Sequence, residues 1–205
     1  MSERPILFSG PMVRALLDGS KTQTRRVIAQ QPSDGWAFEV PPFFGRISSP
    51  HPKKGRFGVF VRRGIGTDFP EIDLIPCPYG MPGDSLWVRE TWNHAPAAIG
   101  ATRDEDGPFA YAAGYATEST IDGKWRPSIH MPRYASRITL EVTSVRVERL
   151  HDITDADALA EGVDRTNTSI PGYARERFVR LWTSINGNES WASDPWVWVV
   201  EFKKL

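Results

Sequence analysis

The chain has 205 residues, with 25 Lys and Arg against 25 Asp and Glu, and a formal net charge of zero. That length suits one well-filled core, and the charge balance excludes a molecule-wide basic field for non-specific nucleic-acid binding. A single cysteine, Cys77, excludes an internal disulfide and a zinc cluster of several thiolates, and no run of about eighteen apolar residues marks a membrane span, so the expectation is a cytoplasmic protein that uses no membrane, metal or cofactor.

Residues 4–8 read as a first strand. Ser9 or Gly10 then caps a helix whose first turn accepts Pro11, because proline lacks only a donor that would be unpaired there anyway. Val13, Leu16 and Leu17 form its apolar stripe, and Gly19 suits the left-handed residue that ends it. Residues 22–28 look extended, with Thr24 and Arg26 on one face and Arg25 and Val27 on the other. From residue 30 to 84 regular patterning breaks, since nine of the seventeen prolines and eight glycines fall there, and this span reads as a long insertion in a single 1–205 domain. Within it, residues 46–63 carry six lysines and arginines and no acid, with Phe57 and Phe60 interleaved. Lys53, Lys54, Arg56, Arg62 and Arg63 would form a basic flap for single-stranded RNA or DNA, or else a solvated loop.

Residues 86–90 are the next strand, followed by a loop rich in Gly, Pro and Asp and a short strand at 109–112. Residues 136–150 alternate, then slip phase by one, which predicts a bulge near Thr143 or Ser144. Thr154 with Asp157 forms a capping box for a helix ending at Gly162. A longer helix at 173–185 carries Phe178, Leu181, Trp182 and Ile185 on one stripe, and residues 196–203 close the chain as a strand. This mixture, with no glycine-rich phosphate loop between strand and helix, indicates an α+β class around a curled sheet or small barrel with about three flanking helices.

Strand parity places Glu90 on the inward face with Leu86 and Val88, where a carboxylate needs a proton, a cation or hydrogen bonds; Lys21 is a chemically suitable partner. The other reading ends the strand at the surface with Glu90 solvated. Lys21 and Thr24 are equally compatible with a helix-end cation and a good β-former. Trp92 would stack on a planar base or fill the barrel end, and His130 and Arg133 would supply an acid–base group and an anion holder in a proline-bounded loop.

Residues 19–26, Gly-Ser-Lys-Thr-Gln-Thr-Arg-Arg, match a Gly-x-Lys-x-x-Thr-x-Arg pattern, and residues 86–92, Leu-Trp-Val-Arg-Glu-Thr-Trp, form a second block. Together with residues 152–162 and 196–202, these resemble the ASCH domain of the PUA-like β-barrel superfamily, and in particular its phage- and prophage-encoded members. The resemblance implies a metal-independent amidohydrolase that removes the acyl group from N4-acetylcytidine or a related modified pyrimidine nucleoside. By motif position it implies catalytic roles for Lys21, Thr24 and Glu90; the chemistry of these groups then suits Lys21 as base, Thr24 as nucleophile and Glu90 as the group that orients the lysine or protonates the leaving amine, with Arg26 or a nearby backbone donor at the oxyanion. An RNA- or DNA-binding module without chemistry, or a ribonuclease, is the competing expectation.

Overall fold

The structure, a computed structural model, describes residues 2–64, 66–68, 70–95, 105–115, 124–166 and 170–205; most of the loop expected before residue 109 lies outside them. The chain order is β1 (Glu3–Leu7), α1 (Gly10–Leu17), β2 (Gln23–Val27), β3 (Ala37–Phe38), β4 (Phe44–Arg46), β5 (Phe57–Arg63), β6 (Glu71–Pro76), β7 (Ser85–Arg89), β8 (Trp92–His94), β9 (Phe109–Tyr111), β10 (Thr139–Arg149), α2 (Asp155–Ala160), α3 (Tyr173–Asn186), α4 (Asn188–Ala192) and β11 (Trp196–Lys204). The fold is α+β, with four α-helices and several sheets among the described residues.

The main sheet has the order β1-β7-β10-β11-β2, with β1 parallel to β7 and the remaining pairs antiparallel. Among the described residues no pairing joins β2 back to β1, so the expected closed barrel is instead an open path with two edges. Pro5 fits such an edge, because it has no N–H to give a second neighbour. The bulge falls where the phase slip puts it: the β10–β11 register shifts between Val142 and Ser144.

The insertion is built into the fold. β5 pairs with β3, β4 and β6 in a small antiparallel sheet, and Gly58 makes one of these pairings possible: a Cβ there would stand 2.1 Å from the Ile75 carbonyl oxygen. Phe38, Val59, Val61 and Ile75 from this sheet share one buried cluster with Leu86, Leu140, Val142, Trp198, Val200 and Phe202 from the main sheet. On the opposite face of β11, Val197 and Val199 pack with Phe178 and Trp182 of α3 and with Ala158 of α2. The molecule therefore has three layers, small sheet, main sheet and helices, and β11 is buried on both sides. Alternate residues of one strand serve two cores.

Cys77 lies at the seam of the two sheets, and burial pushes its thiol up to about 11. Its reaction with a neutral disulfide reagent at pH 8 is expected to be slow in the native protein and fast in denaturant. Equal rates in the two states would place the thiol at the surface. Because the folded state raises this acid's pKa, stability falls as pH rises above the ordinary thiol value of 9.0.

Candidate active site

The turn after α1 starts the site. Gly19 takes φ +79°, Lys21 donates its backbone N–H to the Ala15 carbonyl and Thr22 donates to the Ala160 carbonyl, so the start of β2 is stitched to the ends of α1 and α2. α2 carries the capping box the sequence indicates, Thr154 with Asp157, and the residue past its last turn is Glu161.

Lys21 is buried, its side chain without exposed surface, and its ammonium donates to Gln23 O at 2.8 Å, Glu161 O at 2.8 Å and Glu161 Oε2 at 2.9 Å. Three acceptors match the three protons of a charged amine. Burial pushes the Lys21 pKa below the ordinary lysine value, Glu161 works in the opposite direction by charge and hydrogen bond, and Arg26 and Arg25 add to the lowering. The ammonium also lies 5.5 Å from the Phe8 ring centroid, while the Arg26 guanidinium stands 5.3 Å from the same ring. Lys21 thus spans the edge of β2, touching Glu161 on the helix side and Phe8 on the side of Thr24 and Arg26.

Gly162 makes this approach possible. It takes φ +83°, and a Cβ on it would stand 2.9 Å from both Ala15 Cβ and Lys21 Cβ. Gly162→Ala is expected to cost more than about 1 kcal/mol in chemical denaturation, from backbone strain and displacement of Lys21 together. An unchanged unfolding midpoint would contradict that packing.

The Glu161 carboxylate is 4 % exposed, with Oε2 held by Lys21 and Oε1 without a hydrogen bond; the nearest cation to Oε1, Arg25 Nη1, stands at 3.6 Å. Arg25, buried on the same face, pairs with Glu148 at 2.9 Å and Asp157 at 3.3 Å. Arg146 binds Asp157 at 2.8 Å, together with Glu148, Glu201 and the Gln23 side-chain oxygen. Burial acts to raise the Asp157 pKa, but bonds from Thr154 and the charges of Arg25 and Arg146 hold it below the usual carboxylate range.

A cavity of about 190 Å³ opens beside this network, lined by Thr24, Arg25, Arg26, Tyr79 and Glu161, with Met12, Leu181 and Trp182 as apolar wall. Thr24 is 2 % exposed overall and its hydroxyl makes no hydrogen bond within the described protein. Among the lining residues, Arg25 Nε and Nη1, Arg26 Nε and Glu161 Oε1 are buried without hydrogen-bond partners, as is Gln23 Nε2 in the adjoining network. Among the described residues no group of three or more His, Cys, Asp or Glu is placed to hold a metal ion.

Of the residues singled out from the sequence, Thr24 and Arg26 line the cavity, and Lys21 sits behind Glu161. Glu90 is inward, as strand parity requires, at 1 % exposure, but its cation is Arg137, which donates through Nε to Oε1 at 2.9 Å and Nη2 to Oε2 at 3.0 Å. The Arg137 guanidinium also covers the Tyr111 ring at 4.0 Å. Lys21 therefore meets Glu161 and not Glu90. Trp92 begins a separate strand, β8, and packs at 1 % exposure with Met131 and Ala135. His130 is exposed in a 3-10 turn, and Arg133 is taken up by Glu3 at 2.8 Å, so neither reaches the cavity.

The basic flap is largely neutralised from within the insertion. Lys53 pairs with Asp73 at 2.6 Å, Arg62 with Glu39, and Arg63 with Glu71 at 2.6 Å, leaving Lys54 and Arg56 exposed. Glu161 and Tyr79 are polar cavity residues that sequence reasoning missed as site candidates, as it missed Arg25 and Asn186. The signal for Glu161 was available: it is an acid placed just before the glycine that ends a capped helix.

No family model, curated protein or solved structure matches the chain. No helix in the described residues is long and apolar enough to cross a membrane.

Proposed function

We propose that the protein is a metal-independent amidohydrolase of the ASCH type, on a PUA-like sheet left open, acting on an N4-acylated cytosine nucleoside or a related modified pyrimidine. The observation that carries this is that Glu161, whose Oε1 accepts no hydrogen bond and has Arg25 Nη1 at 3.6 Å, and Thr24, whose hydroxyl makes none, both line one small cavity, with a buried lysine holding the carboxylate from behind. A cavity of about 190 Å³ suits a pyrimidine ring, and Tyr79 and Trp182 offer flat surfaces to it.

The residue roles follow from which atoms face the hollow. Thr24 Oγ1 attacks the acyl carbonyl carbon, and its proton passes to Glu161. Arg26, whose buried Nε is unpaired, faces the oxyanion. The C–N bond then breaks as Glu161 returns the proton to the departing amine, leaving an acyl ester on Thr24. Water, activated by Glu161, cleaves that ester and restores the hydroxyl. Lys21 holds the Glu161 carboxylate in place, and is a positioning residue in this scheme rather than the base.

The test is release of cytidine from N4-acetylcytidine by purified protein, followed by chromatography, with Thr24→Ala and Glu161→Gln beside the wild type. Turnover by wild type and its loss in both variants supports the reading. No release from any N4-acylated cytidine or cytosine rejects it.

A further inference from the structure

The small cavity has a larger neighbour at Tyr79. Val27 and Tyr79 also line a larger cleft of about 950 Å³ between the insertion and the main sheet. Its rim carries Arg4 from β1, Arg46 from β4 and Arg56 from the turn before β5, all exposed. Unlike Lys53, Arg62 and Arg63, none of the three has a carboxylate within ion-pair distance among the described residues; Arg46 makes one contact, to Met81 Sδ at 2.6 Å. The one acid in the wall, Asp84, is occupied by the backbone N–H groups of Ser2 at 2.7 Å and Met81 at 3.2 Å.

The insertion therefore spends its acids on the outer cations and leaves the guanidiniums unpaired around one hollow. Unpaired arginines converging on a cleft suit phosphate oxygens, because the planar fork donates two parallel hydrogen bonds to them. Phe57 in the wall adds a ring for stacking. The volume is about five times that of the Thr24 cavity, which suits flanking nucleotides better than a single phosphate.

From this we infer that the protein acts on single-stranded nucleic acid, with the modified base in the Thr24 cavity and the adjoining phosphates held by Arg4, Arg46 and Arg56. The inference rests on the Thr24 cavity being the reaction site. It gives residues 30–84 a task, since Arg46 and Arg56 belong to the insertion, and it confines the polymer contact to the inner cleft instead of the outer flap.

The experiment combines binding with turnover. Fluorescence anisotropy follows a labelled single-stranded hexanucleotide with one N4-acetylcytidine. The triple variant Arg4→Gln, Arg46→Gln, Arg56→Gln is expected to bind at least tenfold more weakly, with the slope of log K against log salt reduced by about 2, as for three lost phosphate contacts on a single strand. The charge reversal Arg56→Glu, a single exposed change, is expected to weaken binding in the same direction. Lys54→Gln, on the outer flap, is expected to leave it unchanged. In turnover, wild type prefers the hexanucleotide to the free nucleoside by tenfold or more, and the triple variant loses that preference while keeping its rate on the nucleoside. Unchanged affinity and salt slope in both arginine variants overturn the inference, as does equal turnover of nucleoside and hexanucleotide. A 5′-monophosphate processed as well as the hexanucleotide overturns the polymer assignment. Arginine-dependent binding without any turnover supports the cleft and rejects the amidohydrolase reading instead.

Discussion

Glu161→Gln is expected to lower kcat/KM for cytidine release by about 10³-fold, the range for losing a positioned acid–base group, while Glu90→Gln stays within about threefold of wild type. The contrast follows from the two carboxylates' surroundings. Both are buried, but Glu161 lines the cavity and its Oε1 accepts no hydrogen bond, whereas both Glu90 oxygens are closed by the Arg137 fork. A large loss in Glu90→Gln with Glu161→Gln left active would reverse the assignment. The pH profile gives an independent reading of Lys21. Its pKa is lowered chiefly by burial and supported by Glu161, so turnover should fall as pH rises through a value below the ordinary lysine 10.5, where the ammonium that holds Glu161 is lost. Lys21→Met should remove that limb and act mainly on kcat. A profile unchanged by Lys21→Met would take the lysine out of the mechanism.

The second large effect concerns stability. Arg137→Ala leaves the Glu90 carboxylate buried at 1 % exposure without its cation, which should cost about 3 kcal/mol in urea unfolding, the size found when one partner of a buried pair is removed. The double change Arg137→Ala with Glu90→Gln should recover a substantial part of that, because the remaining group no longer carries a charge. A single variant as stable as wild type, or a double variant no better than the single, would show that the pair contributes little. Tyr111 links the site to β9: its ring lies under the guanidinium, and its hydroxyl donates to the Ala135 carbonyl at 2.9 Å.

Local chemistry was legible in the chain where it acts over a few residues. The capping box at Thr154, the glycine after α1 and the slip in β10 depend on neighbours within a turn or a strand pair, and each appears in the structure. Parity put Glu90 inside correctly. It says which face a side chain takes, however, and nothing of what stands across from it. Arg137 lies just before β10, and β10 pairs with β7 through Thr139 and Trp87, so the Glu90 partner is set by strand pairing at long range. Glu161 reaches Lys21 for the same kind of reason, through the stitch of α2 to β2. The insertion was unreadable as a sheet because Pro and Gly crowd between its strands, and the β5–β6 pairing depends on a close backbone approach at Gly58 that no periodicity signals. Of the curled sheet or small barrel expected, the described residues show an open sheet: closure needs a partner for each edge, which no local pattern in a strand can signal.

Lys21 and Glu161 are 140 positions apart along the polypeptide, and their union needs the first turn, the second helix and the last strand all in place. In the proposed scheme the poised carboxylate therefore depends on all of these parts being assembled at once. Loss of turnover in mild denaturant should coincide with the cooperative melting of the whole body.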